Sequence, residues 1–347
     1  MSFLYNAWYC AGWSADLTEN LSPITILNEP VLLYRKQNGA AVAIGNRCPH
    51  RFAPLHLGTK VGDCVQCPYH GLRFGDDGKC SHNPHGDGSI PKAAQVKSYP
   101  IVERHNAIWI WMGEPEKADP ETIMDIHEVT ERQGWTQVRG KLQIKANYEL
   151  VSDNLLDLSH VPFLHPFLSF DGPPPGGFQV LTEMKHEGDV VYHNNTVLNI
   201  PVSPLFRALW GADQVEIGDM RSHMRWTPPS NLFLDVGMTR CGEPDDRDTP
   251  AIPIAHLLTP ETENSTHYFW AQARNRHVGN DEFSAEMQKG ITDVFVLEDE
   301  MIIEACQEMM GTHDLMSLRP VLLPGDSAAI RARRVLQGKI EAEKASK

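Results

Sequence analysis

Short apolar runs separated by turn signals fill the first third of the chain and predict antiparallel β-structure. Residues 30–36 and 40–46 are two such runs around Asn38-Gly39, a dipeptide that favours a tight hairpin. The same device returns at Asp77-Gly78, and residues 98–113 form a further strand pair rich in tryptophan and isoleucine. We therefore expect a small all-β domain at the N-terminus.

The pattern changes after residues 113–122, which are rich in proline and charge and which we read as a boundary. It separates a domain of residues 1–120 from one of residues 121–347. Beyond it, residues 147–161 are typical of a helix limited by Pro162, and residues 190–270 alternate like strands. Apolar side chains then recur at three- and four-residue steps through residues 282–310, which predicts a long amphipathic helix.

Two further segments carry expectations of their own. The stretch "FDGPPPGGF" at 170–178 fits neither helix nor central strand, so we expect a loop and possible lid. From Asp326 onward the chain predicts a charged helix that frays at the C-terminus.

Composition limits the classes of function. With 347 residues, 41% apolar content and a net charge of −14, the chain suits a two-domain globular enzyme. Its acidity argues against nucleic acid and anionic membrane surfaces as partners. The N-terminus lacks a basic region before an apolar run, and no apolar run is long enough for a membrane span. Seven unevenly spread cysteines favour reduced thiols and a cytoplasmic location.

The densest chemistry lies in residues 46–74, with the pattern Cys48-x-His50 and Cys67-x-x-His70. A zinc site fits this composition but not the mixed spacing. A Cys64-x-x-Cys67 dithiol is disfavoured because the segment resembles strand and loop, whereas such motifs open a helix. A Rieske [2Fe–2S] cluster requires two thiolates on one iron and two imidazoles on the other, which this pattern provides. Cys64 and His56 are then bystanders.

A second site is suggested by "NYELVSDNLLDLSHVPFLHP". His160 and His165 point well apart on a regular helix, but Pro162 lets the chain turn so that both imidazoles can converge. Two histidines and a carboxylate form the facial triad of non-haem iron sites. Taken alone, the two histidines are more typical of an ordinary helix end. The cluster upstream favours the iron site.

The chain resembles the oxygenase component of the Rieske non-haem iron oxygenases, in the group of vanillate O-demethylase and dicamba monooxygenase. The resemblance rests on "CPHRFAPL", "QCPYHGLRF", "DNLLDLSHVPFLH", "LLTPETENSTHYFW" and "VLEDEMIIEA". It implies an α+β fold, with an all-β Rieske domain followed by a helix-grip catalytic domain whose antiparallel sheet wraps on a long helix. The cofactors implied are one [2Fe–2S] cluster and one Fe(II).

The resemblance also implies roles for single residues. It makes His160, His165 and Asp299 the iron ligands, with Glu298 as the alternative to Asp299. Asp157 resembles a bridging aspartate that accepts a hydrogen bond from His160 and another from His70 of a neighbouring subunit. The resemblance places Asn154 near the iron, and His256 matches a substrate-contacting position.

Partners and reaction follow from the same resemblance. It implies a homotrimer, an aromatic small-molecule substrate, and electrons from NAD(P)H through a separate flavin and iron–sulfur reductase or a ferredoxin. The loop with His82 and His85 lies either at a subunit contact or in an ordinary polar hairpin. The reaction implied is hydroxylation of a methyl group on a methoxybenzoate-like substrate, releasing formaldehyde. Alternatives are ring hydroxylation, hydroxylation of an aryl methyl group, and a Rieske electron carrier without enzymatic activity.

Overall fold

The computed structural model describes residues 3–165, 179–211, 215–244 and 249–346. The chain divides into two compact units. The first comprises Met1–Ile123 together with Thr259–Thr262, and the second comprises Met124–Leu258 and Glu263–Lys347. The boundary predicted after residue 120 remains a prediction, as does the lid at 170–178, which lies outside the described residues.

The first unit is built almost entirely from short strands in three antiparallel sheets. Its strands are β1 (Trp8–Trp13), β2 (Ser22–Ile26), β3 (Glu29–Arg35), β4 (Ala41–Gly45), β5 (Thr59–Val61), β6 (Cys64–Gln66), β7 (Arg73–Phe74), β8 (Cys80–His82), β9 (Ile101–Arg104) and β10 (Ala107–Trp111). The sheets have the orders β1-β10-β9, β2-β3-β4 and β5-β6-β7-β8. Both predicted hairpins are present, and Gly39 and Gly78 have the positive φ that such turns require.

The second unit contains one seven-stranded antiparallel sheet and the helices that accompany it. Its elements are α1 (His127–Thr130), β11 (Thr136–Ile144), α2 (Tyr148–Leu156), α3 (Val161–Leu164), β12 (Gln179–Glu187), β13 (Val190–Pro201), α4 (Pro204–Trp210), β14 (Ile217–Thr227), β15 (Asn231–Arg240), β16 (Ile254–Thr262), β17 (Ser265–Arg274), α5 (Asp281–Val294), α6 (Glu300–Met310) and α7 (Ser327–Ala345). The strand order is β11-β17-β16-β15-β14-β13-β12. This architecture confirms the predicted α+β fold.

The long amphipathic helix is interrupted by a π-helical segment. Residues Phe295–Asp299 join α5 to α6 without a break in the rod. Asn280 caps the start of α5 by accepting the Phe283 N–H, and Gly311 ends α6 in the left-handed region. A π-helical segment carries an extra residue and occurs frequently at functional sites. The periodicity therefore predicted the length of this helix but not its local widening.

The C-terminal helix does not fray as the sequence suggested. α7 runs for 19 residues and buries the small and branched side chains of one face. They are Ala328, Ala329, Ala332, Leu336 and Ile340. The charges that suggested fraying occupy the other positions, and Arg333 among them is paired with acids on α2. Among the described residues, no helix is long and apolar enough to cross a membrane.

Candidate functional site

The cysteine–histidine stretch forms two loops with the same main-chain hydrogen bonds. Cys48 N–H donates to the carbonyl five residues on, and its own carbonyl accepts the N–H of Phe52. Cys67 repeats both bonds, with Gly71 in the place of Phe52. Phe52 and Gly71 both have positive φ, which closes each loop tightly. The spacing differs by one residue, because the histidine stands second after one cysteine and third after the other.

These loops bring four possible metal ligands together. The Cys48 and Cys67 thiols lie side by side in the hydrophobic core of the unit, and burial raises the pKa of Cys48. The His50 and His70 rings are edge to face with centroids 4.4 Å apart, and burial lowers the pKa of His70. His70 Nδ1 is buried without a hydrogen-bond partner. An orphaned ring nitrogen beside two buried thiols fits a Rieske cluster, since metal ligation supplies the missing partner.

Three further side chains near the two loops, those of His56, Cys64 and His85, form hydrogen bonds away from the cluster ligands or to their main chain. His56 Nδ1 and N–H bond the Asn46 side chain, and Cys64 Sγ lies 3.6 Å from Ser81 Oγ, so both have partners elsewhere. His85 Nε2–H donates to the His70 carbonyl at 2.8 Å. His85 therefore supports the second loop from within the same unit.

A second group of ligands converges in the catalytic unit. His160 Nε2 and His165 Nε2 are 3.2 Å apart, and Asp299 Oδ1 lies 3.5 Å from the first and 3.3 Å from the second. His165 and Asp299 are buried, while His160 is about one-quarter exposed. This is the two-histidine, one-carboxylate arrangement of non-haem iron sites.

Hydrogen bonds behind the rings fix which nitrogens face the site. His160 Nδ1–H donates to the main-chain carbonyl of Asp157 at 2.7 Å, and His165 Nδ1–H donates to Glu298 Oε2 at 2.6 Å. Both Nε2 atoms then present lone pairs to each other and to a carboxylate. Three facing lone pairs repel one another unless a cation lies between them. The residues present therefore fit a divalent metal.

Two adjacent acids of the π-helical segment, Glu298 and Asp299, lie against the two nitrogens of one histidine. On a regular α-helix, Glu298 and Asp299 would diverge by about 100°. In the widened turn, Glu298 contacts Nδ1 of His165 and Asp299 faces its Nε2. Burial lowers the pKa of His165, but the neighbouring carboxylates of Asp299 and Glu298 outweigh it and leave that pKa raised. Glu298 thus supports a ligand from behind, a role the sequence did not suggest.

Asn154 on α2 and Asp157 just after it both lie beside the histidine–carboxylate group. Asn154 Nδ2 donates to Asp299 Oδ1 at 3.1 Å. The Asp157 carboxylate was expected to accept from His160, and this detail is wrong, because the acceptor is the Asp157 main-chain carbonyl. The chain ends α2 at Asp157 and turns, so its side-chain Oδ1 instead accepts the N–H of Ser159 at 2.9 Å.

His256 is fully buried on β16 beneath the π-helical segment. Its Nδ1 lies 2.5 Å from the Tyr268 hydroxyl, and its ring meets Phe295 edge to face. Burial lowers the pKa of His256 to about 3, so the ring is neutral. Its Nε2 is buried without a hydrogen-bond partner. A neutral ring with one unused nitrogen can offer a hydrogen bond, but no charge, to a bound molecule.

The neighbouring strand gives no help to such a molecule. Leu232 is paired with His256, so the two side chains lie on the same face of the sheet. Side chains at odd positions of β15, such as Asp235, project from the other face. Asp235 is held there by two hydrogen bonds from Arg221.

A pair of thiolate–imidazole loops and a two-histidine, one-carboxylate constellation define a Rieske non-haem iron oxygenase. Comparison with known proteins agrees: residues 7–100 match the Rieske [2Fe-2S] domain family, and residues 144–342 match the vanillate O-demethylase oxygenase C-terminal domain family. The chain belongs to this family of oxygenase components. Its cofactors are one [2Fe–2S] cluster and one Fe(II).

Relatives of known activity cover essentially the whole chain. The oxygenase component of chloroacetanilide N-alkylformylase from Rhizorhabdus wittichii is 37% identical, over 98% of this chain and 97% of its own. The oxygenase component of dicamba O-demethylase from Stenotrophomonas maltophilia is 33% identical, over 97% and 98%. The crystal structure of dicamba monooxygenase bound to 3,6-dichlorosalicylic acid superposes with a TM-score of 0.91 at 32% identity, over 99% and 100%. The predicted fold class, enzyme class and cofactors are thereby confirmed.

Proposed function

We propose that this chain is the terminal oxygenase of a Rieske monooxygenase that hydroxylates the methyl group of a methoxybenzoate-like substrate. The product is a hemiacetal, which breaks down to a phenol and formaldehyde. The convergence of His160 Nε2, His165 Nε2 and Asp299 Oδ1 carries this proposal. The relative named as an O-demethylase, similar over 97% of this chain, supports the choice of reaction.

The residues divide the work of the site between them. In this proposal Cys48, His50, Cys67 and His70 hold the cluster, and His160, His165 and Asp299 hold the iron. The chemistry supplied by these groups when bound is one-electron delivery and activation of O₂. Asn154 orients the Asp299 carboxylate by its hydrogen bond.

Substrate orientation falls to His256 in this proposal. Its unpartnered Nε2 supplies one hydrogen bond, and Phe295 and Tyr268 beside it offer aromatic surface. Because the ring is neutral, a substrate carboxylate would receive a hydrogen bond rather than an ion pair.

The electrons for the reaction come from a separate protein that docks on this chain. We propose that NAD(P)H electrons arrive through a separate flavin and iron–sulfur reductase or a ferredoxin. Phe52 and Tyr69, on the two cluster loops, are each about two-thirds exposed although apolar, which suits transient docking beside the cluster histidines.

We also propose a homotrimer in which Asp157 bridges two histidines: its main-chain carbonyl accepts from His160, and its carboxylate accepts from His70 of a neighbouring subunit. The catalytic unit supports this with exposed apolar side chains along the helical rod and the loop that follows it, which a monomer would leave in water. They are Leu297, Met301, Met309, Val321 and Leu323. A cytoplasmic location accords with seven cysteines of which none forms a disulfide.

One further reaction is favoured by a specific comparison. The relative at 37% identity is named as a chloroacetanilide N-alkylformylase, which points to an N-alkyl group as the one attacked. Hydroxylation of the carbon next to nitrogen would use the same site, so N-dealkylation is the second candidate.

A turnover panel separates these candidates. Methoxybenzoates, N-alkyl anilides and methylbenzoates are incubated with the protein, reductase and NADH, and aldehyde and aromatic product are measured. We expect formaldehyde and a phenol from a methoxybenzoate. Aldehyde from anilides alone selects N-dealkylation. A benzylic alcohol from a methylbenzoate, or a dihydrodiol, as the main product would contradict both O-demethylation and N-dealkylation.

A further inference from the structure

The turn before α7 lies directly against the carboxylate of Asp157. A Cβ placed on Gly325 would lie 2.8 Å from Asp157 Oδ2, 2.9 Å from Oδ1 and 3.0 Å from Cγ. Carbon atoms do not approach carboxylate atoms so closely without a shift of one partner. At Gly325, therefore, a side chain and the present position of the carboxylate exclude each other.

The turn that carries Gly325 is held in place at both ends. Asp326 Oδ2 accepts the Leu323 N–H at 2.6 Å, and Asp326 N–H donates to the Leu323 carbonyl at 3.1 Å. Pro324 between them has a fixed φ. These bonds fix the conformation of the turn, so a side chain at position 325 would start in the direction of Asp157.

The helix behind the turn is anchored to the same segment that ends in Asp157. Arg333 on α7 donates to both oxygens of Asp153 and to Glu149 Oε2, at 2.6–3.0 Å. Asp153 stands one helical turn before Asp157 on α2. The distance between Gly325 and Asp157 is thus set by a charge-assisted link between two helices.

The opposite side of Asp157 is equally constrained. Its Oδ1 accepts the Ser159 N–H, and its main-chain carbonyl accepts the Nδ1–H of His160. The carboxylate therefore lies between a main-chain donor on one side and the bare Cα of Gly325 on the other. A shift forced from the Gly325 side would act on the residue that orients His160.

We propose that Gly325 is a positioning residue for Asp157: the absence of a side chain there keeps the carboxylate in the orientation used for electron transfer. This role rests on the proposed function of Asp157 as the bridge between subunits. Gly325 touches neither metal ligand set, and it acts only through Asp157.

Gly325→Ala tests the proposal because it moves the carboxylate without changing its chemistry. Gly338→Ala is the matched control, since a Cβ at Gly338 on α7 meets nothing within 4 Å. Thermal unfolding of the holoprotein is measured for both, alone and with Asp157→Ala. We expect Gly325→Ala to lower Tm by about 3 °C in the wild-type background and not with Asp157→Ala, where the clash is absent. If the single variant fails to fold while the double variant folds, the same coupling is shown.

The functional part is read from the cluster itself. In Gly325→Ala, the visible and EPR spectra of the cluster and the iron content should match wild type. Reoxidation of the pre-reduced cluster by O₂ with substrate should slow about tenfold or more, and Gly338→Ala should not change it.

Three outcomes would overturn the proposal: no coupling of Tm to Asp157, wild-type reoxidation in Gly325→Ala, or an equal slowing by Gly338→Ala. Coupling and slowed reoxidation without formaldehyde from any ether would refute only the proposed reaction, because neither readout depends on the product.

Discussion

The two candidate metal sites are assembled in different ways. The cluster residues belong to one contiguous stretch, in which two loops repeat the same main-chain bonds around Cys48 and Cys67. The mononuclear site joins residues after α2 to a helix more than a hundred residues later, and its geometry depends on a π-helical segment. Local chain geometry determines the first site, and tertiary packing determines the second. Changes at the two sites should therefore have separable consequences.

Cys67→Ala should have the largest effect because it removes a cluster ligand from the core of its unit. We expect iron to fall from about three to about one per chain, with the cluster spectrum lost and the unit destabilised. Metal analysis and visible absorption measure this. Cys64→Ala is the control and should retain the spectrum. A normal cluster in Cys67→Ala would show that the ligand assignment is wrong.

Asp299→Ala should abolish turnover while leaving the other site intact. Loss of a ligand removes several kcal/mol of stabilisation from the metal, so we expect turnover to fall about 10³-fold or more. Iron should drop from about three to about two per chain with an unchanged cluster spectrum. Asp293→Ala, on the same helix but paired with Lys289, should behave as wild type. Loss of the cluster in Asp299→Ala would contradict the independence of the sites.

Glu298→Gln probes the support behind His165. The amide keeps the size of the side chain but replaces the charged acceptor, and such changes typically lower metal affinity or activity about 10–100-fold. Titration of metal-depleted protein with Fe(II) or Co(II) measures the affinity. Glu308→Gln, at an exposed position of α6, serves as the control. If Glu298 were itself an indispensable ligand, the metal would be lost rather than weakened.

The smallest effect on stability is expected at an ion pair of the first unit that contacts neither set of metal ligands. Two hydrogen bonds from Arg35 lower the pKa of the Glu103 carboxyl. The contribution of this ion pair to the free energy of unfolding is therefore complete above the ordinary carboxyl pKa. It disappears as the pH falls through the lowered pKa of Glu103. Glu103→Gln should cost under about 1 kcal/mol at pH 7, since the pair is partly exposed.

Denaturant unfolding at several pH values measures the Glu103 effect. The difference between Glu103→Gln and wild type should shrink towards acid pH. The control is Glu19→Gln, whose carboxylate is exposed and loosely paired with Lys60, and it should show little change at any pH. A difference that grew in acid would reverse the assigned direction of the pKa.

The comparison of the sites also explains what could be predicted from sequence. The Cys48 and His50 spacing and the hairpin at Gly39 depend on neighbours in the chain, and local patterns predict such features well. Asp299 was reached only through family resemblance, because helical periodicity alone favoured Glu298. The strands β11 and β12 were not predicted. Every position of β12 is exposed, so its sequence carries no selection for alternating apolar and polar residues.

Other features lay beyond any local pattern. Nothing in the residues around Gly325 indicates that Asp157 lies opposite it, and α7 was expected to fray because its charges were visible and its partners on α2 were not. The acceptor for His160 was misassigned for the same reason. A carboxylate suggested itself, whereas the turn after α2 presents a main-chain carbonyl instead.

The π-helical segment at Phe295–Asp299 makes the residue count of this rod a functional constraint. Deleting one residue there would remove the extra residue and let the helix relax to regular winding, so the side chains beyond the segment would keep their faces while those within it would change theirs. Glu298 and Asp299 would then no longer flank one imidazole, even though each acid was still present. Evolution or design can exchange side chains along this helix more freely than it can change its length.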